Sequence, residues 1–144
     1  MQLSPEKGTY GRYIIREMMS FRFNSTGPVL DRIRDGKSGL VLSVTRDSVG
    51  LYTIKMRKDR PYVTGGKYVH LNVHLSQVAA PVAYCDAHYV EGSWAVAADG
   101  ITFKVKVFKR ATDLVAAVAS DPDSGDRIHI ELVGSYVSVG QDAL

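Results

Sequence analysis

The chain has 144 residues, of which 45% are hydrophobic and 23% charged, and its formal net charge is +3 at pH 7. This balance is typical of one soluble globular domain and excludes a largely disordered chain. The single cysteine, Cys85, excludes an intrachain disulfide and is expected in or near the core.

The N-terminal residues 1–11 differ in composition from the chain that follows. They contain Pro5, Gly8 and Gly11 and few apolar side chains. Such a segment has too little apolar surface to pack against a core on its own. We predict an extended N-terminal arm over residues 1–11, ordered by contact with a partner, and one domain over residues 12–144.

A hairpin is predicted in the first half of the chain. Residues 40–45 are apolar and β-branched, residues 46–50 supply turn-forming side chains, and residues 51–57 resume an alternating pattern. The side chains assigned to the core face of the second strand are Tyr52, Ile54 and Met56.

Three further strands show alternation of apolar and polar residues. They cover residues 68–76, 101–110 and 127–132, and Asp99-Gly100 supplies a tight turn from residues 94–98 into the second of them. The side chains expected in the core are Val69, Leu71, Val73, Leu75, Ile101, Phe103, Val105, Val107, Ile128, Ile130 and Leu132. The polar residues between them are expected to face solvent.

Evidence for helix is limited to residues 112–120, where good helix formers follow a capping candidate, Thr112. The Asp-Pro-Asp-Ser-Gly-Asp run at residues 121–126 ends this segment, so we expect one or two helical turns or a loop packed on the sheet. The run lacks the later bidentate glutamate of an EF-hand, which favours a solvated turn over a calcium site.

Short strands separated by turns every ~8–12 residues are typical of all-β folds. We therefore predict a single-domain antiparallel β-sandwich or barrel, jelly-roll-like, with an extended N-terminal arm and at most one short helix. No apolar run approaches the ~18 residues of a membrane span. Residues 1–11 also lack the apolar segment of a secretory signal, so synthesis and folding in the cytosol are expected, with no membrane partner.

Histidines are the first candidates for metal or acid–base chemistry. His70 and His74 are four residues apart, and on a strand this separates them by roughly 13 Å, too far for one ion. Cys85 and His88 form a Cys-x-x-His pair, but no second pair follows at zinc-finger spacing. No phosphate-binding loop or nucleophile elbow occurs either. We predict no catalytic residue, no metal and no cofactor.

Charge is distributed unevenly along the chain. Residues 31–67 carry nine Lys/Arg against four Asp/Glu, whereas residues 111–144 carry one Arg against six acids. A basic half can bind nucleic acid, with Tyr52 and Tyr62 stacking on bases. The net charge of +3 and the expected core position of Tyr52 argue against that partner. Opposite charges also suit contacts between copies, so we expect a homo-oligomer, a dimer or trimer.

Two segments of the chain carry a resemblance to a known family. They are residues 43–57, Ser-Val-Thr-Arg-Asp-Ser-Val-Gly-Leu-Tyr-Thr-Ile-Lys-Met-Arg, and residues 111–133, with Asp-Leu-Val-Ala-Ala and Arg-Ile-His-Ile. In this order, the chain over roughly residues 20–139 resembles small virion structural proteins of tailed bacteriophages. The resemblance implies a non-enzymatic decoration or cement protein, made in the host cytoplasm, whose partner is the major capsid protein at the outer capsid surface.

For such a role, the arm and the basic segment after the hairpin are the candidate capsid-binding features. The candidate residues are Leu3, Pro5, Tyr10, Tyr13, Arg57, Lys58 and Arg60. One alternative is a tail, adaptor or head-fibre component of the virion. Another is a carbohydrate- or host-surface-binding β-sandwich, in which Trp94, Tyr89 and Tyr84 form a stacking platform.

Overall fold

The structure of the protein, a computed structural model, describes residues 12–30, 41–57, 66–79, 83–110 and 116–137. For residues 12–15, 66–70 and 134–137 only the backbone is described. Two antiparallel sheets pack against each other, so the fold is an all-β sandwich, as the alternation in the sequence predicted. The described ranges contain no helix. The predicted arm over residues 1–11 and the final residues 138–144 lie outside them.

Sheet A contains four strands: β1 (Arg12–Asn24), β2 (Gly27–Leu30), β5 (Gly66–Ser76) and β10 (Arg127–Val137), in the spatial order β2-β1-β10-β5. β10 pairs with β1 on one edge and with β5 on the other. The predicted strands at residues 68–76 and 127–132 are therefore neighbours, although about fifty residues of sequence separate them.

Sheet B contains β3 (Val41–Ser48), β4 (Leu51–Met56), β6 (Tyr84–Tyr89), β7 (Ala95–Ala97), β8 (Gly100–Arg110) and β9 (Val118–Ala119). The order is β3-β4-β8-β6, and the short strands β7 and β9 also pair with β8. The predicted hairpin is confirmed as β3–β4, with its turn at Val49-Gly50. The predicted Asp99-Gly100 turn is confirmed between β7 and β8.

The core lies between the two sheets and uses the predicted alternation. Tyr52, Ile54 and Met56 of β4 are at most 1% exposed, and the apolar residues predicted for the core faces of β8 and β10 are fully buried. β1 adds Met19, Phe21 and Phe23, and the Phe23 ring meets Tyr52 edge-on at 5.2 Å. Each such side chain contributes roughly 1.5–3 kcal/mol on burial, which makes this apolar layer the main stabilising element.

One side chain joins the two sheets at the β5–β6 corner. The Gln77 amide nitrogen donates to the carbonyl of Ala83 at 2.8 Å, and the backbone N–H of Cys85 donates to the Gln77 amide oxygen at 3.1 Å. The carbonyl of Ala83 and the N–H of Cys85, at the start of β6, are thereby hydrogen-bonded within the protein and do not depend on water.

The structure decides between the alternatives for residues 112–120 in part. Helix is wrong at residues 118–119, which form β9 against Phe108 and Lys109. Beyond Lys106 the pairing of β4 with β8 has ended, and β9 satisfies the backbone groups that this leaves on β8. Residues 111–115 lie outside the described residues.

Candidate functional site

Alternate residues of sheet B point away from sheet A and form its outer face. On β8 these include Lys104, Lys106 and Phe108, because the residues between them are buried. On β6 they are Tyr84, Asp86 and His88. Phe108 therefore places an aromatic ring on a face that β8 otherwise fills with polar and basic side chains.

A depression of about 230 Å³ lies on this outer face. It is located on β8 between Lys106, which pairs with the first residue of β4, and Phe108, which pairs with β9. We call it the outer-face depression, and its lining residues are Ser48, Val49, Gly50, Leu51, Lys106, Phe108 and Ala119. Lys106 is the one charged residue of this lining. The arrangement suits an apolar side chain with an acidic group beside it.

Gly50 brings the β3–β4 turn against β8. Its carbonyl accepts the backbone N–H of Val107 at 2.7 Å, and its φ is +69°. A Cβ at this position would lie 2.6 Å from the carbonyl oxygen of Val107 and 2.8 Å from the nitrogen of Ser120. Only glycine fits this close approach, so one side of the depression depends on it.

Asp121 holds the same turn in place. Its carboxylate accepts hydrogen bonds from the Arg46 guanidinium at 2.8–3.1 Å. It also accepts the backbone N–H of Gly50 at 3.0 Å and the hydroxyl of Tyr52 at 2.5 Å. One carboxylate thus connects the end of β3, the turn and the core face of β4.

The protonation states at Asp121 suit these contacts. The hydrogen bond from Arg46 lowers the pKa of the Asp121 carboxyl to about 2, against the opposing effect of its partial burial. Burial, and then the hydrogen bond to Asp121, raise the pKa of Tyr52 above its ordinary value. At neutral pH the carboxylate is charged and the phenol is neutral, as a hydrogen bond donated by the phenol to the carboxylate requires.

The Asp-rich run contains an exposed turn at Ser124-Gly125, as predicted, but its aspartates make contacts within the protein and are not simply solvated. Asp126 is fully buried, and its carboxylate accepts the backbone N–H groups of Val78 at 3.0 Å and Asp123 at 2.9 Å. The Lys109 ammonium donates to Asp123 at 2.7 Å. Asp121 and Asp123 thus pair within one molecule, which leaves less opposite charge for contacts between copies.

Large exposed apolar side chains occur on both sheets within the described ranges. The large hydrophobic side chains that are exposed among the described residues are Met18, Leu42, Val49, Tyr84, Val96 and Val118. Of these six, five belong to strands of sheet B or to its β3–β4 turn, and Met18 alone belongs to sheet A. Register places Tyr84 opposite the outward-facing Arg110, whereas Val96 and Val118 pair with Ile101 and Lys109 on the other side of the sheet. Val49 is the residue of this group that lines the outer-face depression.

Most cations on the outer face of sheet B have a carboxylate partner. The pairs are Lys104–Asp47, Lys55–Asp99 and Arg110–Asp86. Hydrogen bonds from Thr53 and then Lys104 lower the pKa of Asp47. Lys106, by contrast, forms no ion pair with any described residue. It is the cation of this face that is available to an acidic partner.

Of the predicted capsid-binding residues, the two that the structure describes, Tyr13 and Arg57, do not line the outer-face depression. Leu3, Pro5, Tyr10, Lys58 and Arg60 lie outside the described residues. The backbone of Tyr13 pairs with Tyr136 inside sheet A. Arg57 follows β4 at the end remote from Gly50, roughly 20 Å along the strand. The depression itself was missed, although Phe108 on a polar strand face was a signal for it.

The aromatic platform proposed for carbohydrate binding is not formed. The Trp94 ring stacks on Phe103 with centroids 5.9 Å apart, and Tyr89 meets the same core ring at 6.2 Å. Tyr84 is 59% exposed and lies on the opposite face of β6, five residues from Tyr89. These three side chains therefore cannot contact one sugar together.

The groups considered for metal or thiol chemistry take structural positions. His74 lies on a strand, as predicted, and stacks on His129 with ring centroids 4.8 Å apart. Within the described residues, no group of three or more potential metal ligands occurs. Cys85 is buried, as predicted, and burial raises the pKa of its thiol to about 12. Tyr52, considered for base stacking, is a core residue.

The chain matches no family model, no curated protein and no solved structure among the known proteins compared with it. In the described part of the chain, no apolar helix of membrane-spanning length occurs.

Proposed function

We propose that this protein is a non-enzymatic structural protein of a tailed-bacteriophage virion, a decoration or cement protein that binds the major capsid protein. The observation that carries the binding role is the outer-face depression, where the exposed Val49 and the Phe108 ring lie beside Lys106. The resemblance of residues 43–57 and 111–133 to phage virion proteins supplies the identity of the partner.

The lining of the outer-face depression indicates which chemical groups a partner would present. Val49, Leu51 and Phe108 offer an apolar surface, and Lys106 adds one cation beside it. A capsid segment that presents an apolar side chain next to a carboxylate would complement both. A capsid repeats the same surface many times, so modest contacts at each site add up to a stable coat.

The rigidity of the depression favours binding. The Asp121 carboxylate and the close approach of Gly50 to β8 fix the turn that borders it. Because the turn is already ordered, less conformational entropy is lost when a partner docks. We propose a dimer or trimer on the outer capsid surface, after synthesis in the host cytoplasm and without nucleic acid or membrane as partner.

Copy number tests the assignment. Quantitative mass spectrometry of purified virions should give a copy number for this protein that is comparable to that of the major capsid protein. A few copies per particle would contradict a cement role and favour a tail, adaptor or head-fibre component. A glycan array with wild type and Trp94→Ala tests the carbohydrate alternative, and we expect no bound glycan with either protein.

A further inference from the structure

Strand β5 lies at one edge of sheet A, because it pairs with β10 on one side and with no described strand on the other. Edge strands usually carry charged side chains, proline or bulges, which discourage pairing with another chain. The edge strand β3 of sheet B follows this rule, with two register shifts and the exposed Arg46 and Asp47. Residues 70–76 of β5 do not. They pair regularly with β10 and contain no proline, lysine, arginine, aspartate or glutamate.

The backbone groups of Leu71, Val73 and Leu75 point away from β10. The N–H of Phe23 donates to the carbonyl of Asp126 at 2.9 Å, so these two residues form a hydrogen-bonded pair at the end of the β1–β10 ladder. Such pairs recur at every second residue of an antiparallel ladder, so the odd-numbered residues of β10 bond to β5. Their partners on β5 are even-numbered, which directs the N–H and C=O groups of the odd-numbered residues to the outer edge.

The side chains of the same three residues are apolar and only half-buried. Leu71, Val73 and Leu75 pack against the core from sheet A, whereas the three residues of β10 opposite them are fully buried. A strand added beside β5 would cover these side chains and hydrogen-bond to the backbone groups between them. Both the ladder and the apolar inner face of sheet A therefore continue to this edge without a described neighbour.

The sequence of this edge is complementary to itself. Residues 71–75 are Leu-Asn-Val-His-Leu, which alternates apolar and polar residues in the same way in both directions from Val73. If two copies pair antiparallel about a two-fold axis at Val73, each Leu71 lies opposite Leu75 of the second copy. The outward-facing Asn72 then lies opposite His74 of the second copy, at a distance suited to a hydrogen bond. In this register the backbone groups of all three inner residues find partners.

We propose that the outer edge of β5 pairs with the same edge of a second copy, about a two-fold axis at Val73, so that sheet A continues from one copy into the other. A second copy is the occupant because an edge without Lys, Arg, Asp or Glu offers no charge to a different partner, whereas its own pattern matches it at each position. The contact uses the edge of both copies and therefore stops at a dimer. It specifies the dimer of the proposed function but does not rest on the capsid as partner.

Sedimentation velocity of the full chain at micromolar concentrations tests the interface, and wild type should reach twice the 15.8 kDa chain mass. Val73→Lys places like charges opposite each other at the axis and should raise the dimer Kd at least about tenfold. The matched control is Val44→Lys, a half-buried valine on the edge strand of sheet B, whose Kd should stay within about threefold of wild type. Thermal unfolding checks that both variants fold. A monomeric or trimeric wild type would overturn the proposal.

Two double variants test the register without changing an apolar residue. In Asn72→Lys/His74→Lys, lysine faces lysine across the axis, and the Kd should rise at least about tenfold. In Asn72→Glu/His74→Lys, glutamate faces lysine, and the dimer should be at least as tight as wild type. Both positions are exposed, so both variants should fold. Equal Kd values would overturn pairing about Val73. Capsids are absent from these measurements, so a monomeric wild type that still binds capsids would overturn the dimer alone and leave the proposed function standing.

Discussion

The phenol of Tyr52 donates a hydrogen bond of 2.5 Å to the carboxylate of Asp121, a residue 69 positions later in the sequence. The Tyr52 ring belongs to the core, whereas the Asp121 carboxylate also holds the β3–β4 turn at the surface. Through Asp121, the turn that borders the outer-face depression is therefore hydrogen-bonded to a core residue.

Asp121→Ala should destabilise the fold. The substitution leaves the buried Tyr52 hydroxyl and the Gly50 N–H without an acceptor, at a cost of about 2–3 kcal/mol. Tyr52→Phe keeps the ring and removes one hydrogen bond, so we expect a smaller loss of about 1 kcal/mol. Urea unfolding measures both values. Equal stability of Asp121→Ala and wild type would show that the contact is not stabilising.

The Asp121 contact should also make stability depend on pH in the acid range. The pKa of Asp121 is lowered to about 2 in the folded protein, whereas an unfolded aspartate titrates near pH ~3.9. The folded state is therefore favoured above about pH 4, and this advantage is lost as the pH falls towards 2. The carboxylate is partly exposed, so solvent screening limits the effect to about 1 kcal/mol. In urea titrations at several pH values, the free energy of unfolding of Asp121→Ala should depend less on pH between 4 and 2 than that of wild type. The same pH dependence in both proteins would contradict a stabilising role for the charged carboxylate.

Gly50→Ala should be more damaging than an alanine at another glycine with positive φ. At Gly50, strain from the left-handed backbone adds to a collision with the Val107 carbonyl, for a total of about 2–4 kcal/mol. Gly92 has a φ of +78° but open space around its Cβ position, so Gly92→Ala isolates the strain at about 1 kcal/mol. Thermal unfolding compares the two, and equal losses would mean that the close approach to β8 is not tight.

The thiol of Cys85 should be unreactive in the folded protein. It is 6% exposed, and burial raises its pKa to about 12, so very little thiolate is present at neutral pH. Iodoacetamide should modify it slowly under native conditions and rapidly in denaturant, as mass spectrometry would record. Rapid native modification would place Cys85 at a surface.

The architecture was predictable where the period of two is strict. On β8 and β10 the alternation of apolar and polar residues specified which side chains are buried, because a strand sends successive residues to opposite faces. The order of strands was not predictable, since nothing local specifies that β10 lies between β1 and β5.

The candidate site was harder to predict for the same physical reason. The partners of Asp121 are 69–75 residues away in sequence, and its acidic neighbourhood in isolation indicated a solvated turn. The β9 segment likewise has helix-forming residues but pairs with β8, because tertiary contact outweighs intrinsic propensity. Phe108 alone was visible in the sequence as an aromatic residue on a polar face.

Binding to capsids assembled without this protein is the most direct test of its central role, with bound protein quantified after sedimentation. Val49 lines the outer-face depression and is 53% exposed, so Val49→Asp should fold normally and lose at least about tenfold in capsid affinity. Met18, 55% exposed on sheet A, supplies the matched control, and Met18→Asp should bind as wild type does. Wild-type affinity in Val49→Asp, or an equal loss in both variants, would contradict docking through sheet B.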